Sequence, residues 1–223
     1  MAADPLAPGP SSARSGLRER KKLATRRALH DAALRLALER GLEHVTVEEI
    51  SAAADVSVRT FFNYFPNKEQ AIIGDPFLVD EERVTEVIRA ADTVLDGLRE
   101  VSLAVTADVG PRRAQVLMRW ELMDRYPALL GQMLAALAEF EKIVARAVSA
   151  RTGDQADDAY PQLMAAIAAV TMRVSVQRWT AGHGGRPLEI HVNEVFGLLA
   201  GELAPGAPRA GSGEGRVERD SNA

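Results

Sequence analysis

Nearly every stretch of this chain between its Gly, Pro and Asp breakers carries apolar residues at helical spacing. None shows the sustained alternation or β-branched enrichment of a strand, so the fold class is all-α. Beyond the break at Gly74-Asp75-Pro76, breakers at Ala91-Asp92, Gly110-Pro111, Tyr126-Pro127, Arg151–Asp158 and Thr180–Pro187 mark off about six helices, for about nine in the whole chain. The hydrophobic share, 47%, suffices for a core, and with no Cys that core cannot rest on disulfides or thiolate metal sites. Met1–Gly16 has Pro, Gly and Ser where a signal peptide needs a basic patch and an apolar run, and is expected to be a disordered arm. Residues 204–223, rich in Gly, Pro and Ser, are expected to be a disordered tail. The longest uncharged apolar stretch, Leu163–Met172, is far shorter than the roughly 20 residues of a membrane span, which points to a cytoplasmic protein with no membrane partner.

The local signals are sharpest near the amino end. A first helix is expected from about Leu17 to Arg40, with Leu29, Ala33 and Leu36 on one side and Gly41 as its stop. Thr46-Val47-Glu48-Glu49 reads as a capping box opening a short helix whose Ile50 and Ala53 face the core. Asp55 marks a tight turn, and Ser57 is placed to cap a third helix containing Val58–Tyr64, stopped by Pro66. Asn67 with Gln70 resembles a second capping box, so a fourth helix should begin near Lys68 and be broken or kinked at Gly74–Pro76. Three helices in about fifty residues, the last two short and tightly joined, form a helix-turn-helix head over residues 17–73. A helical body follows over 74–203.

The residues Thr25-Arg26-Arg27-Ala28-Leu29-His30-Asp31-Ala32-Ala33-Leu34, Gly41, Thr46–Ile50, Val56-Ser57, Thr60–Phe65 and Asn67-Lys68-Glu69 together resemble the TetR/AcrR family of bacterial transcriptional regulators. The resemblance spans about fifty contiguous residues and implies a homodimeric repressor released from its operator by a small molecule. Three positions depart from the family pattern. Asp55 stands where Gly is usual, and Asp enters a left-handed turn at modest cost. Ala37 stands where Phe is common, with Leu38 beside it to restore volume. Phe62 replaces a frequent Tyr, removing one phosphate-bonding hydroxyl that Tyr64 can replace.

Charge supports two tasks in one chain. Arg14–Ile73 carries 11 Lys and Arg against 8 Asp and Glu, while the rest carries 16 against 23. A mildly basic head can meet phosphates at short range, and an acidic body stays off random polyanions. Arg59, Thr60 and Asn63 fall within about one turn of the third helix and are candidates to read base edges, Arg favouring guanine and Asn adenine. Thr25, Thr46, Tyr64 and Lys68, near helix starts or just past the recognition helix, are candidates to clamp phosphates. Arg14, Arg18, Arg20, Lys21 and Lys22 form a basic arm that can track the flanking backbone or minor groove. The expected partner is double-stranded operator DNA, palindromic or nearly so, because a two-fold dimer presents two heads.

In the body, Leu163, Ile167, Val170 and Val174 fill one helix face, and Met164, Ala168 and Met172 an equally uncharged opposite one. A helix apolar all round is buried all round, here against a second subunit. Val192, Val195, Phe196 and Leu199 continue the interface on the last helix. Met118, Arg119, Trp120, Met123, Tyr126, Met172, Arg173 and Trp179 are candidate lining for a largely apolar effector, although Met and aromatics on helices fill cores as readily as pockets. Arg119 and Arg173 interrupt apolar segments and suit an anionic group or a surface role. His30, His44, His183 and His191 form no close metal-binding pair, and neither a phosphate loop nor a nucleophile elbow is present. No cofactor, metal or catalytic residue is therefore expected. A ligand-insensitive architectural protein, or an activator, is the remaining alternative.

Overall fold

Side-chain caps explain where five of the helices start. Thr46 Oγ1 accepts from the Glu49 amide at 3.2 Å and the Glu49 carboxylate accepts from the Thr46 amide at 3.0 Å, which closes the capping box. Ser57, Asn67, Asp80 and Thr93 accept in the same way from Thr60, Gln70, Arg83 and Asp96. The computed structural model describes residues 10–77, 79–182 and 185–203. Among them stand ten α-helices and no strand: α1 (Pro10–Arg40), α2 (Val47–Ala53), α3 (Val58–Phe62), α4 (Lys68–Ile73), α5 (Glu81–Ala90), α6 (Val94–Val109), α7 (Arg113–Arg125), α8 (Ala128–Thr152), α9 (Ala159–Ala181) and α10 (Leu188–Leu203). No helix among these residues is long and apolar enough to cross a membrane.

The all-α expectation holds, with corrections. The count is ten because Gly74, at φ 66°, breaks the chain outright and Asp80 caps a separate α5. The first helix begins at Pro10 rather than near Leu17, since Pro fits a first turn whose amides have no partner anyway. The amino end of the expected arm, residues 1–9, and the expected tail, 204–223, lie outside the described residues. Ala53 is exposed rather than in the core. Ser51 takes the inward position, its hydroxyl satisfied by the Val47 carbonyl at 2.7 Å.

Two large cores result. In the first, Leu29, Ala33, Leu34 and Leu36 of α1 close on Ile50, Phe61, Phe65 and Ile72. Ala37 is fully buried there with Leu38 packed against the same cluster, the compensation its small side chain requires. Leu122 of α7 and Leu129 of α8 belong to this core too, so the head is roofed by the body. In the second, α5, α6, α8, α9 and α10 contribute Ile88, Leu98, Phe140, Val148, Met172 and Phe196. Gly97 lets α6 lie close on α5, because a Cβ there would stand 2.9 Å from the Ile88 Cα. The Arg151 guanidinium then caps α5 by donating to the carbonyls of Ala91 at 2.6 Å and Asp92 at 2.9 Å.

Candidate functional site

The turn between α2 and α3 places Asp55 at φ 54°, the left-handed conformation its position requires. The Val56 amide closes it by donating to the Ser51 carbonyl at 3.0 Å. Phe61 and Phe65, one turn apart, both point inward and anchor α3 to the head core. What they leave outside is Arg59, Phe62 and Asn63, with Thr60 half-buried. Arg59 and Asn63, four residues apart, share one side of the rod. Asn63 is the C-cap of α3 rather than an interior residue, but it keeps right-handed helical backbone at φ −74° and ψ −15°. Thr60 is partly occupied, its Oγ1 2.8 Å from the Ser57 hydroxyl. Phe62 was not among the candidate contacts, yet its ring is 54% exposed on the presented segment, edge-on to Phe61. The signal was there: with positions 61 and 65 both internal, 62 must face out.

The candidate phosphate contacts differ in how free they are. Thr25 is half-buried on α1. Thr46 is exposed at the start of α2, with its hydroxyl engaged in the capping box. Tyr64 is half-buried against the head core, and its carbonyl accepts from Arg26 Nη1 at 2.7 Å. Lys68, at the first turn of α4, donates from Nζ to the carbonyls of Leu42 at 2.8 Å and Val45 at 2.9 Å, tying α4 to the 3-10 turn that precedes α2. Arg20, Lys21 and Lys22 are exposed, and with Arg14 and Arg18 they lie on α1 itself, so the basic arm is a helix.

The expected effector lining does not come together. Met118, Met123 and Tyr126 pack on the head core, Met172 is inside the body core, and Trp179 is buried against Val116 and Leu188. Trp120 and Arg173 are exposed. Of the candidates, Arg119 does reach a cavity, one of about 80 Å³ between α1, the Gly74–Pro76 break, α6 and α7. There Arg119 Nη2 lies 3.5 Å from His30 Nε2, and His30 Nδ1 donates to the Ala71 carbonyl of α4 at 2.8 Å. Burial, and then the Arg119 charge, push the His30 pKa down to about 4, so the ring is neutral. Burial also lowers Arg119 to about 10, with Asp75 opposing, and the guanidinium remains charged.

The interface candidates divide in two. Leu163 and Val170 are exposed on α9, whereas Met164, Ala168 and Met172 face the core, as a helix with two apolar faces demands. Ile167, Val174, Val195 and Leu199 are half-buried. Val192 and Phe196 are corrections: both are buried inside the subunit, because α10 turns that side onto α9 and α6. Leu198, 69% exposed on α10, was not foreseen.

Comparison with known proteins gives this geometry its context. The family model described as "Bacterial regulatory proteins, tetR family" matches residues 29–71, and one described as "MftR C-terminal domain" matches residues 92–204. The HTH-type transcriptional regulator TcmR of Streptomyces glaucescens is 35% identical over 173 residues, 74% of this chain and 76% of that protein. The chain belongs to the TetR family. It is accordingly a DNA-binding transcriptional regulator. A second relative, the putative mycofactocin biosynthesis transcriptional regulator MftR of Mycobacterium tuberculosis, is 25% identical over 66% of this TetR-family chain and 75% of its own length. The fold is also that of the fatty acid degradation regulator FadR from Bacillus halodurans, with a TM-score of 0.52, 22% identity, and 80% and 96% of the two chains covered.

Proposed function

We propose that this TetR-family regulator is a homodimeric repressor that sets its two α3 segments into successive major grooves of a palindromic or near-palindromic operator and is released by a small effector bound in the body. The observation that carries the reading is the division of α3: Phe61 and Phe65 are locked inside, while Arg59 and Asn63 stand exposed on one side of a short rod. Residues 17–73 act as the reading head and 74–203 as the sensing and pairing body. Arg59, Thr60 and Asn63 meet base edges, with Phe62 available to a thymine methyl. Thr25, Thr46, Tyr64, Lys68 and the basic start of α1 clamp the backbone. Leu163 and Val170 of α9 and Leu198 of α10 are among the exposed apolar residues and meet the partner subunit. The protein works in the cytoplasm and turns over no substrate.

Two heads about 34 Å apart must both engage, so an effector that changes their spacing loses one half-site. It must bind the released state more tightly than the bound one. Selection from a randomised duplex pool, followed by titration of the selected duplex with a metabolite library, tests the whole reading. Enrichment of an inverted repeat and its release by a compound are expected. Recovery of duplexes without a common motif would refute it.

A further inference from the structure

The 80 Å³ cavity beneath α1 carries four arginines on an otherwise largely apolar lining. Arg26, Arg27, Arg112, Arg119 and neutral His30 line it, with Asp75 as the carboxylate among its lining residues. Asp75 is committed to Arg26, accepting from both Nε and Nη2 of that guanidinium. Arg26 is further satisfied by the Tyr64 carbonyl and by the Phe65 ring, 4.4 Å away. Arg119 is not so provided for. Its Nε is buried with no hydrogen-bond partner, and its contact with His30 is long at 3.5 Å. A buried guanidinium edge without an acceptor is costly, and a planar two-oxygen anion matches its fork. The other wall is apolar, formed by Val105, Val109 and Val116.

We propose that this cavity binds the carboxylate of a small or slender organic acid, held by the Arg119 fork with Arg112 closing over it and the first carbons against the valines. The volume equals that of roughly three waters, enough for a carboxylate group but not for a drug-sized ligand. Any longer tail must leave through the mouth. The site names a chemical class for the effector and rests on the release reading only for its regulatory meaning. Arg119 drawn onto a ligand carboxylate gives up His30, whose other nitrogen holds α4 at Ala71.

The test uses the full chain, calorimetry and thermal melts with sodium acetate, sodium butyrate, sodium octanoate, 1-octanol and sodium sulfate at matched ionic strength. At least one of the three carboxylates binds and raises Tm, while octanol and sulfate do not. Acetate binding identifies a small free acid, and octanoate binding alone identifies the head of a chain. Arg119→Gln weakens the carboxylate by roughly ten- to a hundredfold, and Arg119→Lys by less. Arg112→Gln gives a smaller loss and stands in if the Arg119 variants fail to fold. Absence of carboxylate binding up to about 10 mM, equal shifts with sulfate or octanol, or unchanged affinity in Arg119→Gln would each overturn the proposal. Operator release by an uncharged compound, with no carboxylate bound, would overturn this site and leave the release reading standing.

Discussion

Replacing Lys68 with Met keeps the stem and removes an ammonium that serves two ends of the head at once. Its Nζ donates to the Leu42 and Val45 carbonyls, the exits of the 3-10 turn that aims α2. Two charge-assisted bonds to carbonyl oxygens would be worth about 1.5–3 kcal/mol each if fully buried. Lys68 is half-buried, so water can replace part of both, and the loss comes to about 2 kcal/mol in all. For a chain of this size that lowers Tm by about 4–8 °C. The same charge sits at the first turn of α4, where it adds to any phosphate held there. Operator affinity followed by fluorescence anisotropy from low to physiological salt should lose about 0.9 in log–log slope per protomer. Unchanged thermal stability would refute the internal role of the ammonium. A lowered Tm with an unaltered salt slope would refute the phosphate role and leave Lys68 as a strut.

Asn63→Ala should leave stability within about 0.5 kcal/mol, since the side chain is exposed at the C-cap of α3, yet shift preference at one base of each half-site by about 1–3 kcal/mol in a selection on variant operators. Gly74→Ala should cost about 2 kcal/mol or more in denaturant melts, because φ is 66° and the new Cβ would stand 2.8 Å from His30 Nδ1. His30 has a folded pKa of about 4 against an ordinary 6.5, so the unfolded chain takes up its proton first as pH falls. Stability is therefore full above pH 6.5 and declines toward pH 4, by on the order of 3 kcal/mol, and melts of wild type against His30→Gln should show that slope in the former alone.

Caps and turns were legible because they are decided within four residues. Thr46, Ser57 and Asn67 each bond the amide three positions on, and Asp55 needs no distant partner to enter its turn. Burial of a helix with both faces apolar was legible as a whole, but which face goes inward is decided by neighbours. On α9 the inward residues are Ala168 and Met172, while on α10 Val192 and Phe196 were needed for the subunit's own core. The proposed effector site was least legible. Met and aromatic content pointed to Met118, Met123 and Tyr126, which the head claims for its core, whereas the cavity draws Arg and His from segments some ninety residues apart. No local pattern encodes that meeting; only the isolated Arg119 in an apolar segment hinted at it.

The placement of α7 suggests how sensing and reading are joined. Leu122, fully buried, and Met118 beside it belong to the core that holds α3, while Val116, under two turns earlier, packs with Trp179 of α9 and Leu188 of α10. One helix thus touches both the head and the far side of the body, and Arg119 stands between the two contacts. Close-packed cores repack in discrete steps rather than yielding smoothly. A ligand that moves α7 at Arg119 therefore cannot leave Leu122 unmoved, and the head must follow or lose a fully buried leucine's packing. The proposed boundary after residue 73 would divide tasks along the chain, but the core that holds α3 extends as far as Leu129 of α8.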